Sequence, residues 1–178
     1  MSEAETRQKL IQVLQGAYSG EMAAAFAYRG HWKSLKSGPE KDKIRTIEAE
    51  EWHHRGLVLG MLQTLHAKPV KWREVVFWTI GRILGPLCFV SGWFFPMFFA
   101  GRLETANVGE YSVAQQYATE LNLHTFAAQL QTMSDVELDH EIFFHETIKD
   151  HALMPLMKLL FRFNPHYLQI ENQQRHLS

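Results

Sequence analysis

Four long stretches of this chain carry apolar residues at the three-and-four spacing of an amphipathic helix, and each sets a carboxylate inside its apolar stripe. The stripes read Leu10, Leu14, Ala17, Glu21, Ala24, Tyr28, His31, Leu35; then Ile44, Ile47, Glu51, His54, Val58, Met61, Leu65; then Met97, Ala100, Glu104, Asn107, Tyr111, Ala114, Ala118, Leu121; then Leu130, Met133, Glu137, His140, Phe144, Ile148. A carboxylate on a core face costs several kcal/mol unless an opposite charge accompanies it. Any fold that closes these stripes on one another must accommodate four acids together. That requirement restricts the chain more than its composition does.

The punctuation supports four helices and no strands. Ser2 followed by Glu5 forms the pattern of a capping box, opening a helix of about thirty residues. Residues 36–43 contain Ser-Gly-Pro and charges, with Pro39 at the start of the second helix, which ends before Pro69. A break near Asn122–Thr125 separates the third helix from the fourth. The halves repeat: a helix with one seam glutamate, then a helix with Glu-x-x-His. Glu21 and Glu51 are 30 residues apart, Glu104 and Glu137 33 apart. At 178 residues and 46% apolar composition, one domain with a sizeable core is expected. A bundle over 1–154, including a crossover at 70–101, is followed by a tail at 155–178 in which LMKLLFRF is a short amphipathic candidate.

Composition narrows the partners. The net charge is −1 and there is no Lys/Arg run, so nucleic acid is excluded as a partner. Cys88 is the single cysteine, which excludes an intrachain disulfide framework and permits a reducing compartment. The start, MSEAETRQKL, is acidic and lacks an apolar core region, so it is not expected to be a secretory signal or a transit peptide.

Register decides which pair on the second helix faces inward. Glu50 and His53 also form Glu-x-x-His, rotated by about 100°. Their stripe would be Lys43, Thr46, Glu50, His53, Leu57, Gly60, Thr64, which is mostly polar. Glu51 and His54 therefore point to the core, and Glu50 and His53 outward or to the rim. The inward set is Glu21, Glu51, His54, Glu104, Glu137 and His140: Glu, Glu-x-x-His, Glu, Glu-x-x-His on successive helices. This is the pattern of a ferritin-like four-helix bundle holding two metal ions. Four carboxylates balance two divalent cations, with the histidines as neutral ligands. Carboxylate and imidazole donors suit iron or manganese, and no thiolate set points to zinc. On the third helix Glu110 competes with Glu104 through a rival stripe of Leu103, Ala106, Val113 and Tyr117. Tyr28 and Tyr111 each follow a candidate ligand by seven residues, as core tyrosines or as radical or proton donors. His31, His145 and His151 are expected at the surface or rim. Asp139 and Glu141 flank His140 as supporting partners or as a solvated face.

From Ile83 to Gly101 the chain is uncharged: ILGPLCFVSGWFFPMFFAG. Pro86, Pro96 and the glycines make it a poor simple helix. A full membrane span conflicts with Glu104, which must meet the other acids in one bundle. The expectation is a bent segment lying in a bilayer interface, with tryptophans at headgroup level. The alternatives are a homo-oligomer contact or a buried crossover.

These residues resemble the demethoxyubiquinone hydroxylases, carboxylate-bridged di-iron enzymes of ubiquinone biosynthesis. GEMAAAFAYRG is similar to that family's Gly-Glu…Tyr-x-Gly stretch, at Glu21, Tyr28 and Gly30. Glu51 and His54 match its first Glu-x-x-His, LETANVGEY its third helix at Glu104 and Tyr111, and Glu137 with His140 its second Glu-x-x-His. The likeness covers roughly residues 20–148. The family's histidine before the third-helix tyrosine is Glu110 here, and the crossover shares only hydrophobicity. The resemblance implies two iron ions (or manganese), O2 as co-substrate and hydroxylation of a lipid-like quinone precursor by a monooxygenase. It also implies a peripheral membrane protein docked through 70–101 on the cytoplasmic face of the inner membrane, facing a reducing compartment, with an electron donor the sequence does not specify. Two other classes share parts of the pattern: a ferritin- or rubrerythrin-like iron oxidase without organic substrate, and a metal-free scaffold.

Overall fold

The computed structural model describes residues 1–161 and 165–167. They form six helices: α1 (Glu3–Ser34), α2 (Pro39–Thr64), α3 (Lys71–Val90), α4 (Phe94–Glu120), α5 (His124–Ile148) and α6 (Met154–Leu160), with no strand among the described residues. The described residues form an all-helical bundle. The capping box is formed, with Ser2 N donating to Glu5 Oε2 at 2.8 Å and Glu5 N to Ser2 Oγ at 3.3 Å. Pro39 occupies the first turn of α2. Both α2 and α4 end on a left-handed residue, His66 (φ 53°) and Asn122 (φ 58°). In each case the next amide reaches back five residues, Ala67 N to Leu62 O at 2.8 Å and Leu123 N to Ala118 O at 2.9 Å. This arrangement satisfies carbonyls that a helix end leaves open.

Helix α1 packs along α2, α4 along α5, and α1–α4 and α2–α5 contacts join the two pairs. Two apolar clusters fill the interior. One gathers Leu10, Leu14, Val58, Met61, Leu130 and Met133; the other gathers Ile44, Ile47, Met97, Phe98, Phe144 and Ile148. On every bundle helix the seam carboxylate lies between a residue of the first cluster and one of the second. The polar centre is thus held midway along the bundle between two dry layers, each large side chain contributing roughly 1.5–3 kcal/mol on burial.

The crossover is a fifth long helix. Gly85, read above as helix-weakening, gives close approach to α1 instead, and so does Gly81. A Cβ on Gly30 would lie 1.8 Å from the Gly85 carbonyl oxygen, and one on Gly81 2.9 Å from the Ala23 Cα. Pro86 is inside α3, and the bend falls later, at Gly92 (φ +83°). Glu74 ties α3 down by accepting from Ser19 Oγ at 2.6 Å and from Arg55 of α2. The third bundle helix begins at Phe94, earlier than the Met97 stripe indicates. No described helix is long and apolar enough to cross a membrane. The outer side of α3 nevertheless exposes Trp72, Val75, Trp78, Ile83 and Leu87.

Helix α6 buries Met154 and Met157 in the second cluster and exposes Leu156, Leu159 and Leu160. The 154/155 division therefore falls inside a helix that packs on the bundle core. The end of LMKLLFRF and residues 168–178 lie outside the described residues.

Candidate metal centre

The stripe residues deliver their acids to one place. Glu51, Glu104, Glu137 and His140 are fully buried, and Glu21 and His54 nearly so. Ligand-type atoms of Glu21, Glu51, His54 and Glu137 lie within 4.8 Å of one another, and so do those of Glu51, Glu104, Glu137 and His140. Glu51 and Glu137 belong to both groups. The two groups thus overlap in two carboxylates, and together they gather four carboxylates and two imidazoles at one place. The unsatisfied atoms also fit a metal. Glu21 Oε2, both oxygens of Glu51 and Glu137, and Nδ1 of His54 and His140 are buried without a hydrogen-bond partner. His54 Nδ1 is 2.8 Å from Glu137 Oε1, but not in hydrogen-bond geometry. Orphaned buried polar atoms are rare in folded proteins, and here they converge. The centre is compatible with a metal site.

Electrostatics agree. Burial drives the Glu21 carboxyl up to about 7, with the neighbouring Glu137 charge adding to the rise. Burial also lifts Glu51 and Glu104 well above the carboxylate range, reinforced by Glu137. Glu137 goes the other way: burial opposes its charge, but His140 and His54 hold it low. Both imidazoles are raised despite burial, chiefly by Glu137. Such a cluster is strained in any protonation state without added positive charge.

A second set of contacts aims the first. The Tyr28 hydroxyl donates to Glu104 Oε1, and the Tyr111 hydroxyl donates to Glu21 Oε1. Each tyrosine thus reaches from its own helix to the seam glutamate of the other. Burial and the facing glutamate keep both phenols protonated, Glu104 for Tyr28 and Glu21 for Tyr111. Asn107 Nδ2 donates to Glu104 Oε2 at 3.0 Å. Glu50 Oε2 lies 2.7 Å from His140 Nε2, fixing the ring so that Nδ1 faces the centre.

The sequence-derived set is therefore brought together whole, and the competition on the third helix resolves: Glu104 is in the centre, while Glu110 is exposed on the side of Arg73. His53 is exposed and Glu50 is at the rim, as the register argument requires. Other expectations are corrected. His31 and His145 are not at the surface but buried, each at 1% exposure. His31 lies under α3, a helix whose docking the α1 pattern does not encode, and His145 is covered by the close approach of Gly101. His151 is at the rim, stacked on Phe94 at 4.0 Å. Asp139 is exposed, whereas Glu141 is buried away from the centre, accepting from Thr105 Oγ1 and from the His166 and Tyr167 amides at 2.9 and 3.2 Å. Helical spacing does not mark Glu50 or Asn107 as supporting residues. Asn107's only signal was its place in the Glu104 stripe, and Glu50's was adjacency to Glu51.

Beside the centre is an apolar cavity of about 340 Å³, between α1, α3 and the start of α4. Tyr28 forms part of its wall, so one side chain borders both spaces. No known family model, curated protein or solved structure matches the chain.

Proposed function

We propose that this protein is a ferritin-like, carboxylate-bridged di-iron hydroxylase that uses O2 to oxidise a membrane-borne quinone precursor. The observation that carries the reading is the pair of four-ligand groups sharing Glu51 and Glu137, set against an apolar cavity through Tyr28. Glu21 and His54 would hold one ion, Glu104 and His140 the other, with Glu51 and Glu137 between them. Two reduced iron ions, when bound, supply the electrons and open coordination positions that O2 activation needs. The chain's own groups do the rest. Tyr111 and Tyr28 hold Glu21 and Glu104 in place, and the two apolar clusters exclude water. Tyr28, with its proton on the Glu104 side, is placed to pass a proton between the centre and a substrate. The cavity's mouth includes Leu87, Phe95, Phe99 and Leu103, all substantially exposed. With the bare outer side of α3 they form an apolar surface suited to lying on a bilayer, from which a lipid-like substrate enters without crossing water.

The test is turnover. Protein carrying two Fe(II) per chain, supplied with a reductant and a demethoxyquinol, is expected to consume O2 and release the ring-hydroxylated quinol. Absence of both O2 uptake and product would sink the proposal. Rapid oxidation of excess Fe(II) with no organic substrate would favour the iron-oxidase reading instead.

A further inference from the structure

The cavity under α3 contains a group that the hydroxylase reading does not use. His31 lines it, is 1% exposed, and has neither ring nitrogen paired with any described group. The rest of the wall is mostly hydrocarbon or aromatic, from Leu84, Leu87, Phe95 and Phe99. Leaving a buried donor or acceptor unpaired costs about 1–3 kcal/mol. A lone water is a poor remedy, because it needs roughly two to four polar partners. The volume, about 340 Å³, is within the range of small-molecule sites.

We propose that His31 is the polar anchor of a binding site in this cavity for a planar apolar molecule bearing a hydrogen-bonding ring oxygen, a carbonyl or a phenolic hydroxyl. Burial brings the His31 imidazole down to about 4, so it is neutral near pH 7. A neutral imidazole offers one N–H donor and one acceptor, and can therefore serve either oxygen. His31 follows Tyr28 by three residues, on the next turn of the same face of α1. A ring held at His31 would thus lie one turn from the hydroxyl that meets Glu104. This deepens the function proposed above and rests on it only for the natural occupant.

The probes are 2-naphthol and naphthalene, which differ by one hydroxyl, bound to the full-length protein and measured by equilibrium dialysis. A purely apolar cavity prefers naphthalene, because burying an unpaired hydroxyl is unfavourable. Wild-type protein is expected to bind 2-naphthol at least as tightly. His31→Leu should weaken 2-naphthol about five- to tenfold and leave naphthalene within about twofold, while His31→Gln keeps most of the preference. Cys88, the only cysteine, lines the same cavity, so 2-naphthol should also slow its alkylation by N-ethylmaleimide. Tighter naphthalene binding by wild type overturns the proposal without any variant. So does an unchanged probe ratio in His31→Leu, or the absence of binding and of Cys88 protection. These readouts need no metal and no turnover. A protein that fails to hydroxylate a quinol can still pass them, and one that hydroxylates can fail them.

Discussion

The centre between α1, α2, α4 and α5 and the cavity under α3 both hold buried nitrogen or oxygen atoms that no described protein group satisfies. They differ in number, charge and surroundings. The centre concentrates four carboxylates and two imidazoles, with tyrosines, an asparagine and Glu50 arranged around them. The cavity sets one neutral imidazole in an apolar wall. Many convergent anionic orphans call for cations, whereas one neutral orphan calls for one hydrogen bond on an otherwise greasy ligand. Tyr28 stands between the two spaces, lining the cavity and donating to Glu104, and the hydroxylation proposed above draws on that position.

Four substitutions break or sharpen that contrast. The largest effect is expected for Glu51→Ala, which removes a ligand from both sets. Bound metal should drop from two ions per chain to less than about half of one by elemental analysis. The metal-free variant should melt no lower than metal-free wild type, because a buried carboxyl group without a hydrogen-bond partner is gone. A large loss of stability in the metal-free variant would mean that the cluster is a satisfied polar core instead.

Next is the acid response of His31. Its folded value of about 4 lies below the ordinary 6.5 because burial disfavours the charged form. The unfolded chain therefore takes the proton first as pH falls. Stability from this residue is full above about pH 6.5 and declines on the way to pH 4, by about 3 kcal/mol in all. His31→Leu should lose correspondingly less between pH 7 and pH 4 in urea unfolding. Equal losses in both proteins would place the imidazole in water.

Gly30→Ala puts a methyl against the Gly85 carbonyl and must push α3 outward. A cost of about 2–3 kcal/mol is expected by thermal unfolding, together with faster alkylation of Cys88, while metal stoichiometry stays at two. That pattern would show the cavity can be opened without touching the centre. Smallest is Glu50→Ala. It should weaken one of the two ions roughly 10–100-fold and spare the other. Among the described residues only His140 has such a carboxylate; in the fourth-helix repeat the residue before Glu137 is Val136. Equal weakening of both ions would argue against distinct sites.

The centre was legible in the sequence because helical periodicity fixes which side chains share a face. Once four apolar stripes are buried together, Glu21, Glu51, His54, Glu104, Glu137 and His140 have nowhere to go but one interior. The capping box and the Asn122 break were likewise local chemistry written in local residues. Tertiary structure decided what depends on a partner surface. Glu104 prevailed over Glu110 through the packing of α4 on α5 and α1, since both stripes are nearly equally apolar alone. Gly85 reads as a helix-weakening residue in the sequence, but α1 supplies the backbone it allows α3 to approach. His31 read as a rim residue because nothing in α1 states that α3 will cover it. A periodic pattern specifies one face of a helix, but what lies against that face, and what space is left between them, is set only when distant segments pack.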